Sequence, residues 1–595
     1  MSEGPAVNAA EWFAIGISFG NSNSSIAYTG PDGKAEVIAN EEGDRQIPSI
    51  LSYVDGEEFH GTQAKLQLIR NPRDTVAYFR DYLGKDYTSI DPTPCHQSAH
   101  PQQSDSAVAF SIHDANDEGP SSITVSEITT RHLRRLKQSA SDFLGKAVNA
   151  AVITVPTNSS AAQRGALISS AKRAGIEVLQ LVHEPVAELM AYDARPETVV
   201  VDKLVVVADL GGTRSDASVI ASRGGMYTIL ATAHDYELGG ANLDQIIIDH
   251  FAKEFMKKHQ IDPRENERGL AKLKLEGEAT KKALSLGTNA TLNIESLTNG
   301  IDFSSTINRT RYELLAGKVF SQFTNLIEQA VKKAGLDVLD INEVCGLSQA
   351  VHCYTRKTHE SQVILSGGSS HTPKLASRLQ SIFPVTTKIL APSTFPTALN
   401  PSDLAARGAA IQASLIQEFD KEDIEQSIHP MVTVTPHLSN AIGVRLLSPS
   451  VLGESSPDFQ PLIDVETALP ARRVTQYRVS NTGGDVLVRV CEGVREIKTI
   501  KPIPKPKEDT NGGETDADSE LESDEEEEEI RQIVWNESRP IAEIALKDVK
   551  SGSKVEVVVN INSDLGLQVT ARAIGSRGGV RFAVDAPNVT SDGSI

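Results

Sequence analysis

The stretch VVVADLGGTRSDASVI, Val205 to Ile220, constrains this chain more than any other. Its apolar run ends at Asp209, a glycine pair follows at Gly211 and Gly212, and a second short strand resumes at Ala217. A strand, a tight glycine turn and a returning strand present backbone N–H groups to an anion. The same pattern occurs in AIGISFGNSNSSIAYT, Ala14 to Thr29, and a third glycine pair, Gly367 and Gly368, ends the run VILS. One glycine hairpin alone marks an ordinary turn. Two of them roughly one domain-half apart, plus a third glycine pair, predict two lobes clasping a polyphosphate.

With 595 residues the chain has room for at least two cored domains. A hydrophobic fraction of 39% with 23% charged residues reads as soluble and globular, and the net charge of -21 argues against nonspecific binding to nucleic acid or anionic membrane. No run of eighteen apolar residues predicts a transmembrane helix. The N-terminus lacks the charged and apolar regions of a secretory signal. Cys95, Cys345, Cys353 and Cys491 form no CxxC pair, so reduced cytosolic thiols are expected and the location is read as cytoplasmic.

Residues 1–11 read as disordered. From Trp12 the pattern is strands, then a helical stretch around TQAKLQLIRNP, and Cys95 to Pro120 is polar enough to predict a loop. SEITTRHLRRLKQSASDFLG is helical, AAVITVP is a buried strand, and AAQRGALISSAKRAG is a helix closed by Gly175. The second half repeats the plan, with strands from Leu204 to Thr232 and the helix NLDQIIIDHFAKEFMKKH. ERGLAKLKLEGEATKKALSL predicts a charged helical hairpin, TLNIESLTNGIDFSSTI a strand pair turning at Asn299-Gly300, and RYELLAGKVFSQFTNLIEQAVKKAG a helix. The fold class is α/β, with two pseudo-repeated lobes over residues 12–420. A polar linker at 421–431 follows, then an all-β, sandwich-like domain at 432–595 whose segments alternate as strands. Its stretch 501–530 is too acidic and proline-rich to pack a core and is expected to be disordered.

The order and spacing of these motifs resemble the actin and DnaK-type chaperone superfamily, the seventy-kilodalton heat-shock ATPases. VPTNSSAAQRGALISSAKRAGIEVLQLVHEPVAELMAY is similar to the family's VP…QR…AGL…NEP…A-Y segment, with Pro156, Arg164, Gly175, Glu184 and Pro185 in register. ELGGANLD resembles its LGGEDFD, and NPSDLAARGAAIQA its NPDEAVAYGAAVQA. The resemblance implies an actin-like two-lobed nucleotide domain that binds ATP. It places Gly20, Asn21 and Ser22 in the first phosphate hairpin, and Gly211, Gly212 and Thr213 in the second. Lys65 aligns with the catalytic lysine; Glu184 and Asp209 align with carboxylates that hold Mg²⁺ through water. Gly239 and Gly240 would border ribose and phosphate. Glu278, Lys281, Lys282 and Ser285 would flank the adenosine, with Gly367, Gly368 and Ser369 on its far side.

Departures from the family pattern matter as much. Ser18 stands where the first hairpin opens with aspartate, Asn21 replaces a threonine, Thr213 a glycine, Arg214 a threonine, Ala161 an aspartate and His371 an arginine. Losing a metal-shell carboxylate and water-orienting hydroxyls removes transition-state contacts, while diffuse backbone donors survive. The expectation is ATP binding with little or no hydrolysis, with Lys65, Glu184 and Asp209 as catalytic remnants. Arg214 reads equally as a surface residue or as a guanidinium against a phosphate. His183 and His371 read as packing or surface residues.

DnaK-type chaperones carry an apolar interdomain linker and a helical lid; here the linker is charged and no helical pattern follows the β-segments. With Ser18 and the string VIANEEGDRQIPSILSYV, the chain resembles the Ssz-type atypical branch of the family. That resemblance implies a stable heterodimer with a zuotin-type J-protein, contact with the ribosome mainly through that partner, and stimulation of a ribosome-bound DnaK-type chaperone. Nascent polypeptide is an open further ligand, and no membrane or direct nucleic-acid contact is expected. The competing reading is an active, ATP-hydrolysing chaperone with a lidless peptide-binding domain. A sugar-kinase-like phosphotransferase and a filament-forming actin relative are disfavoured by the appended β-domain.

Overall fold

The computed structural model describes residues 13–90, 98–105, 107–113, 121–194, 203–223, 226–334, 336, 362–417, 438, 440–447, 459, 461–463, 469–478, 484–500, 530–562, 566–574 and 579–584. The chain divides into two compact units, Met1–Val434 and Thr435–Ile595. The expected disordered N-terminus (1–11), the polar linker (421–431) and residues 501–529 of the acidic stretch lie outside the described residues. Ile530, expected at the end of that stretch, opens a strand instead.

Two sheets of the first unit share one plan. Phe13–Phe19 runs antiparallel to Asn23–Thr29 and parallel to Val148–Val155. In the second lobe Lys203–Leu210 runs antiparallel to Ser215–Arg223 and parallel to Gln362–Ser366. Each central strand is covered on both faces, which is why it reads as a continuous apolar run. Val206, Ala208 and Leu210 face one core while Val205 and Val207 face another. The second of these cores joins the lobes through the helices Glu184–Asp193 and Leu404–Gln417. Their close approach demands glycine: an added Cβ at Gly408 would overlap the Ala187 carbonyl, and one at Gly16 would overlap the Ala410 amide.

Three local expectations change. Within Cys95–Pro120, read as a loop, Pro101–Ser104 and Ala107–Ile112 form paired antiparallel strands. Val108, Phe110 and Ile112 point inward, a short period-2 run that the surrounding polar residues had masked. The predicted charged hairpin is one twenty-residue helix, Glu267–Leu286. Gly277 does not break it, because the helix needs that gap to pack on Ile248. The helix predicted over RYELLAGKVFSQFTNLIEQAVKKAG is two, Arg309–Leu315 and Gly317–Lys333, which meet at Ala316. The Asn299-Gly300 turn holds, with φ of 52° and 75° at its two residues.

The second unit has two four-stranded sheets. Val555, Val557, Val559 and Ile561 of one strand point inward while the residues between them are less buried, the alternation that a sandwich core requires. Gly484–Ile500 and Ile530–Val549 form one long hairpin, paired from Gly484↔Val549 to Ile500↔Ile530. Among the described residues from 438 onward every regular element is a strand. Cys491 is buried and unpaired here; the other three cysteines lie outside the described residues. Among the described residues no helix is long and apolar enough to cross a membrane.

Candidate nucleotide-binding site

Between the two lobes of the first unit lies a cavity of about 530 Å³. Both glycine hairpins line it, through Gly20, Asn21 and Ser22 on one side and Gly211, Gly212 and Thr213 on the other. They touch. The Asn21 side-chain amide donates to Thr213 Oγ1 at 3.0 Å, and Ser22 fills the space a Cβ at Gly212 would need. Two departures from the family pattern, Asn21 and Thr213, thus form a bridge between lobes.

A buried relay holds the first hairpin. The Ser49 hydroxyl donates to the Gly20 carbonyl at 2.8 Å, and Ser24 Oγ lies 2.9 Å from Ser49 Oγ and 2.9 Å from His132 Nε2. Because Ser49 spends its proton on Gly20, Ser24 must donate to Ser49 and His132 Nε2–H to Ser24. Burial pushes His132 down to about 3, so the ring stays neutral and the relay keeps one direction.

The second hairpin is held differently. Gly211 N–H donates to the Arg214 carbonyl at 3.0 Å, and Ser369 Oγ donates to the Gly211 carbonyl at 2.9 Å. Gly240 and Ala241 N–H donate to the carbonyls of Gly211 and Gly212 at 2.9 and 2.8 Å. Gly239 therefore packs behind the hairpin, where a Cβ would strike the Gly212 carbonyl, and is not among the lining residues as Gly240 is. Gly367 has a φ of 79°, and a side chain there would overlap Asp209 and Leu210.

The remaining expected residues fall at two ends. At one end Lys65 Nζ donates to Glu278 Oε2 at 2.6 Å, an ion pair that spans the lobes. Lys282 also pairs with Glu278 at 2.7 Å, and Lys281 donates to Asp244 at 2.8 Å and to the Gly240 carbonyl at 3.0 Å. Burial opposes it, but Lys65 and its two lysine neighbours hold the Glu278 carboxyl well below its usual range. Ser285, Gly368 and Ser369 line the same cavity. His371 does so too, its Nε2 3.1 Å from Ser402 Oγ, and burial lowers its basicity. Ala161 sits exposed at the first turn of Ala161–Arg173, away from the cavity lining.

At the other end Glu184 and Asp209 meet, as expected, but with a third carboxylate. Glu184, Asp209 and Asp216 bring ligand atoms within 4.8 Å of one another. Burial, then the neighbouring Glu184 and Asp216 charges, raise Asp209 to about 7. Two guanidinium groups balance the cluster. Arg80 Nη1 donates to Glu184 Oε1 at 3.1 Å. Arg214 Nε donates to Asp216 Oδ2 at 2.8 Å and its Nη2 to Oδ1 at 2.5 Å, a bidentate pair. Arg214 is 8% exposed and stacks 4.9 Å from the Tyr236 ring. Of the two readings of Arg214, the surface one is excluded: the side chain is buried, lines the cavity and pairs with a carboxylate.

The family resemblance implies Mg²⁺ here. The converging carboxylates suit a divalent ion, but two of the three already carry buried guanidinium partners, and the facing hairpin position is the neutral Ser18. These residues fit a hydrated Mg²⁺ poorly.

Arg80, Asp216 and Glu188 are not among the residues the sequence singled out. Glu188, buried, accepts from Ser366 Oγ at 2.8 Å, and burial with the Asp209 charge raises its carboxyl well above the usual range. Asp216 carried a legible signal: Asp209 and Asp216 sit directly opposite across the hairpin, a like-charge pairing that no ordinary hairpin favours. Arg80 carried none, since it comes from a short turn outside every motif.

Comparison with known proteins agrees with this geometry. The Hsp70 protein family matches residues 14–501. The chain belongs to the Hsp70 family. It is 42% identical over 95% of its length, and 98% of the relative's, to "Ribosome-associated complex subunit SSZ1" of Saccharomyces cerevisiae. It is 43% identical over 95% of its length, and 94% of the relative's, to "Heat shock protein 70 homolog C57A7.12" of Schizosaccharomyces pombe. It is 31% identical over 80% of its length, and 87% of the relative's, to "Heat shock 70 kDa protein 14" of Danio rerio. Within the Hsp70 family it is an Ssz-type protein.

Proposed function

We propose that this Hsp70-family chain binds ATP in the cleft and holds it with little or no hydrolysis. The observation that carries the reading is a division of labour among the cleft residues. The glycine hairpins stand at an open cavity, whereas Lys65 is paired with Glu278, Glu184 with Arg80 and Asp216 with Arg214. The Lys65 pair is partly open to water and can be remade, but a carboxylate held by a buried arginine does not organise a metal's water shell. Backbone donors keep their value for binding a polyphosphate. On this reading the adenosine sits against Glu278, Lys281, Lys282 and Ser285, with Gly367, Gly368 and Ser369 opposite. The domain boundaries are taken as 12–420, 421–431 and 432–595.

The same proposal makes the chain a cytosolic, ribosome-associated co-chaperone. The Saccharomyces cerevisiae relative is a ribosome-associated complex subunit by name. We extend that role to this chain as a stable heterodimer with a zuotin-type J-protein, which stimulates a ribosome-bound DnaK-type chaperone that receives nascent chains. Its β-unit is suited to hold an extended partner segment by strand addition. The rival reading, an active chaperone ATPase, is favoured by Lys65 still lining the cavity. Nucleotide extracted from the purified protein and its turnover with a J-domain separate the two. Retained, uncleaved ATP fits the proposal and brisk phosphate release contradicts it. Removing residues 432–595 releases the J-protein in a pull-down; undiminished capture contradicts the heterodimer mode.

A further inference from the structure

We propose that Arg214, with Arg80, serves as a built-in counter-cation of the cleft, so that ATP is held without a divalent metal ion. The inference rests on the nucleotide-binding reading above. Three carboxylates that bring ligand atoms within 4.8 Å of one another in a buried site require positive charge beside them. In this chain the charge is covalently supplied. Arg214 makes two bonds to Asp216, and its Nη2 lies 3.4 Å from Asn158 Oδ1. With Tyr236 beneath its plane, the guanidinium is fixed on three sides. Arg80 is fixed as well, by Asp81 at 2.8 Å, the Phe19 carbonyl at 3.3 Å and Glu184 at 3.1 Å.

Both arginines line the cavity that the two glycine hairpins enter. A guanidinium presents up to five N–H donors in a plane suited to phosphate oxygens, and Arg214 spends only Nε and Nη2 on protein partners among the described residues. A hydrated divalent ion entering the cluster must displace one guanidinium or share its carboxylate, and uncovering a buried charge is costly. The arrangement therefore favours direct arginine–phosphate contact over a metal bridge.

The test titrates ATP into the nucleotide-stripped full-length protein by calorimetry, once with Mg²⁺ and once with excess EDTA. The expected result is a dissociation constant that changes by less than about threefold between the two buffers. Arg214→Gln is expected to lose tenfold or more in EDTA, on the order of one buried charge contact, and to recover most of it with Mg²⁺. Wild-type binding that is present with Mg²⁺ and lost in EDTA overturns this inference alone. Absence of binding in both buffers overturns the nucleotide reading and this inference with it. The two wild-type titrations decide the matter even if the variant does not fold.

Discussion

The two ends of the cleft solve the same electrostatic problem in opposite ways. At the adenosine end of the proposed site the ion pairs are partly open to water: Lys65 and Glu278 side chains are 19% and 24% exposed, and Lys282 is 68% exposed. Such pairs are worth about 0–1 kcal/mol and are remade at little cost when a ligand enters. At the carboxylate end, Arg80 with Glu184 and Arg214 with Asp216 are each about nine-tenths buried. Breaking one there strands a charge at a cost of about 3–5 kcal/mol. One end of the cleft is adjustable and the other is fixed. A fixed carboxylate end suits retention of a polyphosphate better than the changes of coordination that its cleavage demands.

Substitutions at the two ends sharpen or break this contrast. Arg214→Ala has the largest expected effect: it takes from Asp216 its bidentate guanidinium partner, leaving the His234 ring hydrogen-bonded to it, and destabilises the first unit by about 3–5 kcal/mol, read by thermal unfolding. A loss below about 1 kcal/mol would make the carboxylate end as adjustable as the other.

Asp209→Asn is expected to stabilise the nucleotide-free protein. Its carboxyl is raised to about 7 in the fold against about 3.9 in an unfolded chain. A raised acid is at its most favourable below the unfolded value and loses stability as pH climbs through the folded one. The gain from asparagine therefore grows between about pH 4 and pH 7, reaches about 1–3 kcal/mol and levels off above. A gain independent of pH contradicts the cause assigned. The smallest effect belongs to Lys65→Ala, below about 1 kcal/mol on unfolding, because that pair is partly exposed. A larger loss would show that the adenosine end is fixed too.

Much of this was legible in the sequence, and the reasons differ by element. The glycine hairpins and the central strands are local patterns, and local patterns survive translation into structure. The β-unit was legible for the same reason, through alternation such as KVEVVVNI. The strand Ala107–Ile112 was hidden because its inward residues sit among polar flanks. Arg80 and the Asn21–Thr213 bridge were illegible for a deeper reason: each partner is distant in sequence, and only the fold brings it to its counterpart. Arg214 could be read as present but not as placed, since Asp216 two residues on lies within reach along the chain, while the burial of the pair comes only from the fold.

The account stands or falls on the fate of bound ATP. A single-turnover experiment loads the full-length protein with labelled ATP and follows its conversion to ADP, alone and with an added J-protein. The account predicts ATP recovered intact over hours in both cases. ADP formed at the rate of an ordinary Hsp70 chaperone, or accelerated by the J-protein, contradicts it.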